Sequence, residues 1–371
     1  MAHVPARIDR IRARMEEQSL DVLYVRGVSN IAWLTGFERV FDAESAHAVV
    51  IAPGICDLHT DSRYFTALEA ASANTGVSVD MTRCPHSAFL VSRLAPLDGL
   101  RRIRIGVEDT LELREYRALD RACASCAVEL VECSGFIEAL REVKDDSELA
   151  AMRAAQRITD AAFERIVSFM RPRMTEREVQ LRLDGFMFEL GAEGLAFDTI
   201  VAAGSHAASP HAIPGERKLC PGDAVVMDFG ARFAGYCSDM TRTVFVGEPS
   251  AKARRAWEVL VRANEECESL IKAGVVASKV HERAERILEE GGFAGAMGHS
   301  LGHSVGLDIH ESPNLSPSND RALVAGNVVT VEPGIYLPGE FGMRLEDFGV
   351  VTDDGFEVFT KTSHELLSTA I

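Results

Sequence analysis

Apolar positions recur at helical spacing through residues 6–19, where Ile8, Ile11 and Met15 share a face. They then run on through DVLYVR at 21–26, which predicts a helix followed by a strand. The same reading predicts strands at 47–52 (HAVVIA), 56–60, 77–82 and 103–108, and helices at 63–73, 87–94 and 112–122. Helices alternating with strands in this way predict a small α/β domain whose helices cover a sheet. No Gly-rich phosphate loop follows any of these strands, so nucleotide binding gains no support.

The pattern changes after a charged stretch at 141–148, REVKDDSE. A long helix is expected from Ser147, taken as its N-cap, to Met170, with Pro172 ending it. The boundary is placed near 142–146, dividing the chain into 1–143 and 144–371. Thr175 opens a further helix, and its spacing to Glu178 is that of a capping box. Strands are expected at 197–203, 223–231, 240–246, 327–332, 343–351 and 355–360, and helices at 250–272 and 278–291. This half reads as an α+β domain, without low-complexity segments or short repeats.

Composition narrows the function classes. The 371 residues suit two domains. The net charge of −17, from 56 acids against 39 bases, argues against a nucleic-acid partner and suits a protein that gathers carboxylates around divalent cations. Residues 1–20 are charged throughout and do not resemble a targeting segment. No apolar run is long enough to span a membrane, so a cytoplasmic protein is expected. The eight cysteines then read as free structural thiols. Cys123 and Cys126 form a C-x-x-C beside Cys133, but no fourth ligand of matching type for zinc lies close in sequence.

Candidate chemistry concentrates in the second half. Asp228 ends the apolar run Val225-Val226-Met227, where a carboxylate is costly to bury unless it is paired or metal-bound. Asp239 follows eleven residues later, after Gly230 and Gly235, and two antiparallel strands can bring both acids to one side of a sheet. A surface hairpin with two solvated acids is the competing reading. The segment 298–311, GHSLGHSVGLDIHE, places His299, His303 and His310 within twelve residues. Its glycines favour a loop over a helix, and it is not an H-E-x-x-H motif. Glu332 and Glu346 are isolated acids in apolar strands, the latter beside Arg344 and Asp347. Four acids with one histidine suit two divalent ions such as Mn²⁺, Co²⁺ or Zn²⁺. His211 lies in a proline-bounded loop, and His206 nearby reads as an ordinary exposed loop histidine.

In chain order the segments SPHAIP, DFG, SDMTRT, GHSLGHSVGLDIHE, VEPG and MRLED resemble the pita-bread metallopeptidases, the group of prolidases, aminopeptidases P and methionine aminopeptidases. NIAWLTGF at 30–37 and DSRYF at 61–65 resemble the first domain of the creatinase and prolidase branch, with Trp33 where tyrosine is usual. Methionine aminopeptidases lack that domain. The resemblance implies an α/β N-terminal domain and a C-terminal pita-bread domain with a curved antiparallel sheet. It implies that Asp228 binds one metal, that Asp239 and Glu346 bridge two, and that His303 and Glu332 complete the second. His211, His299 and His310 would face substrate, and Arg344 would support the site. The implied chemistry is attack of a metal-activated water on the scissile carbonyl. Either His310 or His211 would stabilise the oxyanion, and Glu332 would shuttle the proton. The implied substrate is a dipeptide or peptide with proline second, the implied metal is manganese, and the implied assembly is a homodimer.

Two alternatives remain open at this point. The same fold also serves creatinase, ectoine-type hydrolases and sulfonium-compound lyases, although the full ligand set argues against creatinase. A non-catalytic binding module is disfavoured by those intact ligands and by the acidic charge.

Overall fold

Six strands form the sheet of the first unit: β1 (Val22–Val25), β2 (Ala48–Ala52), β3 (Ile55–His59), β4 (Ser78–Asp80), β5 (Ile103–Val107) and β6 (Val128–Glu132), in the order β4-β3-β2-β1-β5-β6. The sheet is mixed, with β1 antiparallel to β2 and parallel to β5. Every residue of β1 and β2 is buried, so both faces of the sheet are covered. On one face Val22, Tyr24 and Val50 pack with Phe89, Leu90 and Leu119 from helices. The computed structural model describes residues 4–37, 39–42, 44, 46–95 and 102–369. It divides into two compact units, Met1–Arg141 and Glu142–Ile371. Among the described residues, no helix is long and apolar enough to cross a membrane.

The second unit opens with the helix Asp146–Phe169. Its cap is Asp145, not the expected Ser147: the Asp145 carboxylate accepts from the backbone of Ser147 and Glu148, and Glu148 returns a bond to the Asp145 backbone. A carboxylate two residues earlier outcompetes the serine hydroxyl, which itself donates to Asp145 at 2.5 Å. The expected capping box of Thr175 and Glu178 is present on the helix Glu176–Glu189. The helices Ala251–Leu270 and Ala277–Glu290 lie within a residue or two of expectation.

The strands are β7 (Gly194–Leu195), β8 (Ile200–Ala203), β9 (Ala224–Phe229), β10 (Ala231–Phe233), β11 (Tyr236–Cys237), β12 (Met240–Val246), β13 (Val328–Val331), β14 (Gly334–Leu337), β15 (Phe341–Arg344), β16 (Asp347–Val351), β17 (Phe356–Val358) and β18 (Leu367–Thr369). The pairings are antiparallel except for β18, which joins β12 in parallel. The ladders divide into sheets β18-β12-β9-β8, β11-β10-β7, β13-β16-β17 and β14-β15. Two strands expected as single runs are interrupted, at Gly230 and at Leu345–Glu346, and the strand expected from residue 197 begins at Ile200.

Alternation sets the layers. Val225, Met227 and Phe229 of β9 and Met240, Val244 and Val246 of β12 pack against residues of the helices Asp146–Phe169 and Glu176–Glu189. The other two long helices pack on β13–β15 through Leu260, Ala263 and Ile287 against Val329, Val331, Ile335 and Met343. With one face of the strands taken by helices, the intervening residues point to the opposite face, where the polar cluster lies.

Candidate metal centre

Strand register brings the two aspartates together. Asp228 pairs with Thr241 across the β9–β12 ladder, so Asp239, two residues before Thr241, shares its face. Glu346 sits at the break between β15 and β16, and its backbone N–H donates to Thr241 O at 3.1 Å. The Thr241 hydroxyl donates to Glu346 Oε2 at 2.7 Å and accepts from Arg344 Nε at 3.0 Å. Arg344 also pairs with Asp228 Oδ2 and donates to the Tyr336 hydroxyl at 2.7 Å. Behind Glu346, the buried Arg242 donates to its carbonyl at 2.6 Å and pairs with Asp347 at 2.6 Å. Two of these acids are thus fixed by short-range hydrogen bonds across strand junctions.

The remaining acid and the histidine come from β13 and the loop that runs beside it. Leu301 O accepts from Glu332 N and His303 O from Thr330 N, both at 2.8 Å, so the loop behaves as an extra strand on this edge. Gly302 makes the approach possible: a Cβ there would lie 2.0 Å from Thr330 O. The Thr330 hydroxyl accepts from His303 N at 3.0 Å and donates to Glu332 Oε1 at 3.2 Å, tying loop and strand together. The chain then turns back so that Ser304 bridges to Glu311. This return sets the His310 ring edge-on to His303, with centroids 4.5 Å apart. Beneath the turn, the Lys144 ammonium reaches Ser304 Oγ at 3.1 Å and Glu311 Oε2 at 3.2 Å.

The electrostatics of this cluster call for a cation. His303 Nδ1 faces the Ser304 carbonyl at 3.1 Å, and since a carbonyl only accepts, Nδ1 carries the proton. Burial pushes the imidazole pKa down, so Nε2 presents a bare lone pair. That nitrogen lies 3.5 Å from both Asp239 Oδ2 and Glu332 Oε1. Burial drives Asp239 and Glu346 well above the usual carboxylate range, and the charges of neighbouring acids drive them further. Glu332 is raised by burial as well. Asp228 Oδ1 is buried without a hydrogen-bond partner. Ligand atoms of Asp239, His303 and Glu346 all lie within 4.8 Å of one another, a set that could hold a metal ion. Lone pairs of carboxylates and an imidazole brought this close repel one another, and a bound cation would relieve that repulsion.

A cavity of about 460 Å³ opens onto this cluster. Asp228, Asp239, His303, Glu332 and Glu346 line it, together with His211, His299, His310 and Arg344. His299 donates from Nδ1 to Ser300 O at 2.7 Å and accepts from the Tyr336 hydroxyl at Nε2, 3.1 Å away. Its nitrogens are thus committed, and burial holds its pKa down. His206 lies outside the cavity wall and differs from the solvated residue expected: its Nδ1 is 2.9 Å from both oxygens of the buried Glu176. The sequence reading missed Thr241, Thr330, Tyr336 and Lys144. Thr241 and Thr330 carried a faint signal, being hydroxyls in strands one or two residues from a predicted ligand. Lys144 carried none, because it sits in the charged stretch that marked the domain boundary.

The chain is similar to known proteins over most of its length. Residues 150–353 match the description Metallopeptidase family M24, and residues 7–143 match Creatinase/Prolidase N-terminal domain. An uncharacterized peptidase of Bacillus subtilis is 32% identical over 362 residues, covering 97% of this chain and 99% of that one. A Xaa-Pro dipeptidase from Bacillus anthracis superposes with a TM-score of 0.91 at 36% identity, covering 98% of this chain and 99% of the other. An X-Pro aminopeptidase from Thermotoga maritima superposes with a TM-score of 0.86 at 31% identity, covering 96% and 99%. The chain is therefore a peptidase belonging to metallopeptidase family M24, with a pita-bread domain preceded by a creatinase/prolidase N-terminal domain.

Proposed function

We propose that this peptidase hydrolyses the bond before proline in Xaa-Pro dipeptides or in peptides that begin Xaa-Pro, and that Asp228, Asp239, His303, Glu332 and Glu346 hold two divalent cations for the purpose. The observation that carries the reading is the approach of Asp239 and Glu332 to the bare Nε2 of His303, in a cavity that Asp228 and Glu346 also line and that is sized for a small peptide. When bound, the cations supply Lewis-acid polarisation of the scissile carbonyl and a water acidic enough to ionise near neutral pH. Glu332, beside the cations it would help to hold, is placed to take a proton from the attacking water and return it to the leaving nitrogen. His310 and His211 line the cavity as donors for the developing oxyanion. Arg344 and Tyr336 hold Asp228 and His299 in place. Ile309 and Pro210 give the cavity apolar wall against which a proline ring would pack.

A donor set rich in carboxylates with one imidazole suits Mn²⁺. The eight free cysteines suit the reducing cytoplasm. Homodimerisation follows from the resemblance, and sedimentation equilibrium checks it. The test of function compares cleavage of Xaa-Pro and Xaa-Pro-Xaa peptides with Xaa-Ala controls, in the presence of Mn²⁺. Proline-dependent cleavage abolished by chelation is expected. Cleavage indifferent to proline, or undiminished by chelation, refutes the reading.

A further inference from the structure

One charged side chain in the cavity wall is used neither by the cation ligands nor by the Arg344 network. Asp198 lines the cavity and is exposed, whereas Asp239 and Glu346 on the floor are 3% and 2% exposed. Among the described residues, no hydrogen bond or ion pair engages its carboxylate. The other acids of the lining are buried or half-buried, and Asp228 is paired with Arg344. Asp198 is then the exposed carboxylate of the wall.

Its height in the cavity decides which part of a substrate it meets. The α-amino nitrogen of a peptide is two bonds from its first carbonyl carbon, within about 2.5 Å of it. When that carbonyl is at the floor, the amine is at the floor too. A group at the rim meets what rises from the floor, and that is the side chain of the first residue. Ile200, two residues after Asp198, pairs in register with Asp228 and is buried. Two residues of chain span at most about 7 Å, so Asp198 stands within the reach of one long side chain from the floor. Ile200 and the partly buried Phe197, which flank Asp198 in the chain and line the same cavity, supply apolar wall. An aliphatic stem with a cationic tip satisfies both surfaces.

We propose that Asp198 is a specificity residue that selects lysine or arginine as the first residue of the substrate. The inference rests on the Xaa-Pro reading of this site. Its test measures kcat/KM on peptides beginning Lys-Pro, Arg-Pro, norleucine-Pro and Glu-Pro, for the wild type and for Asp198→Asn and Asp198→Lys, each loaded with Mn²⁺. Norleucine keeps the stem and removes the charge. The wild type is expected to favour lysine over norleucine by about fivefold, the scale of one solvent-exposed ion pair, chiefly through KM and less so at high salt. The ratio falls to near one in Asp198→Asn, and Asp198→Lys favours glutamate. Equal cleavage of all four by the wild type, or a lysine preference that survives Asp198→Asn, overturns the inference alone. Cleavage of none of them overturns the Xaa-Pro reading and the inference with it.

Discussion

Replacing Lys144 with methionine isolates what a buried cation does for the loop that carries His303 and His310. The Lys144 side chain is 1% exposed and that of Glu311 8%, with Nζ to Oε2 at 3.2 Å and Ser304 Oγ at 3.1 Å. Methionine keeps most of the stem volume and removes the charge, so the buried Glu311 carboxylate loses the Lys144 ammonium. Removing one partner of such a pair costs about 3–5 kcal/mol, against about 0–1 kcal/mol for a solvated pair. Lys252 and Glu340, at 2.7 Å but half exposed, provide the solvated comparison within the same unit. The assay is urea denaturation followed by Trp257 fluorescence in a Trp33→Phe background, where Trp257 is the sole indole. Lys144→Met is expected to lose about 3–5 kcal/mol and Lys252→Met less than about 1 kcal/mol. The double variant Lys144→Met/Glu311→Leu is expected to recover much of the loss, because no charge is then left buried. Equal effects of the two lysine variants, or no recovery in the double variant, refute the argument.

Three other outcomes follow from the site. Thr241→Val removes the donor to Glu346 and the acceptor of Arg344 Nε, and metal binding is expected to weaken about 10–100-fold by competition with a chelator; unchanged affinity refutes the positioning role. Gly302→Ala drives a Cβ against Thr330 O, separating the loop from β13, and at least about a tenfold loss of kcat/KM with an unchanged far-UV spectrum is expected; wild-type activity refutes the close approach. The raised carboxylates of Asp239, Glu332 and Glu346 bind protons in the folded metal-free protein at pH values where the unfolded chain has released them. Their contribution is therefore fully present below about pH 4 and lost as pH rises through the folded values. Chelated wild type is expected to gain thermal stability relative to Glu346→Gln as the pH is lowered from neutrality, and a constant difference between the two refutes the assignment.

The sequence by itself determined the elements and the residue types. Helical spacing located the long helices of the second unit to within a residue or two, because an amphipathic stripe and a capping box are local features. Val225, Val226 and Met227 marked a buried strand, which made Asp228 costly to bury and so worth explaining. The order of six short segments then carried the family. Local pattern could not decide between Asp145 and Ser147 as a cap, because both side chains can accept and only the folded geometry shows which one does. It also did not find the breaks at Gly230 and Leu345–Glu346, since where a ladder stops is set by partner strands distant in the sequence. The tertiary structure alone decided proximity. Asp228 and Glu346 are 118 positions apart in the chain, and what joins them is Thr241, which pairs with one in register and bonds the other through its hydroxyl. His303 and Glu332 meet because Gly302 admits a backbone contact that no periodicity records. Lys144 was one charge among several at the domain boundary, and only its burial under the 304–311 turn shows its partner. Residue type and local period are written along one dimension, whereas repulsion between carboxylates, and the cation that relieves it, depend on distances that exist only once strands are in register.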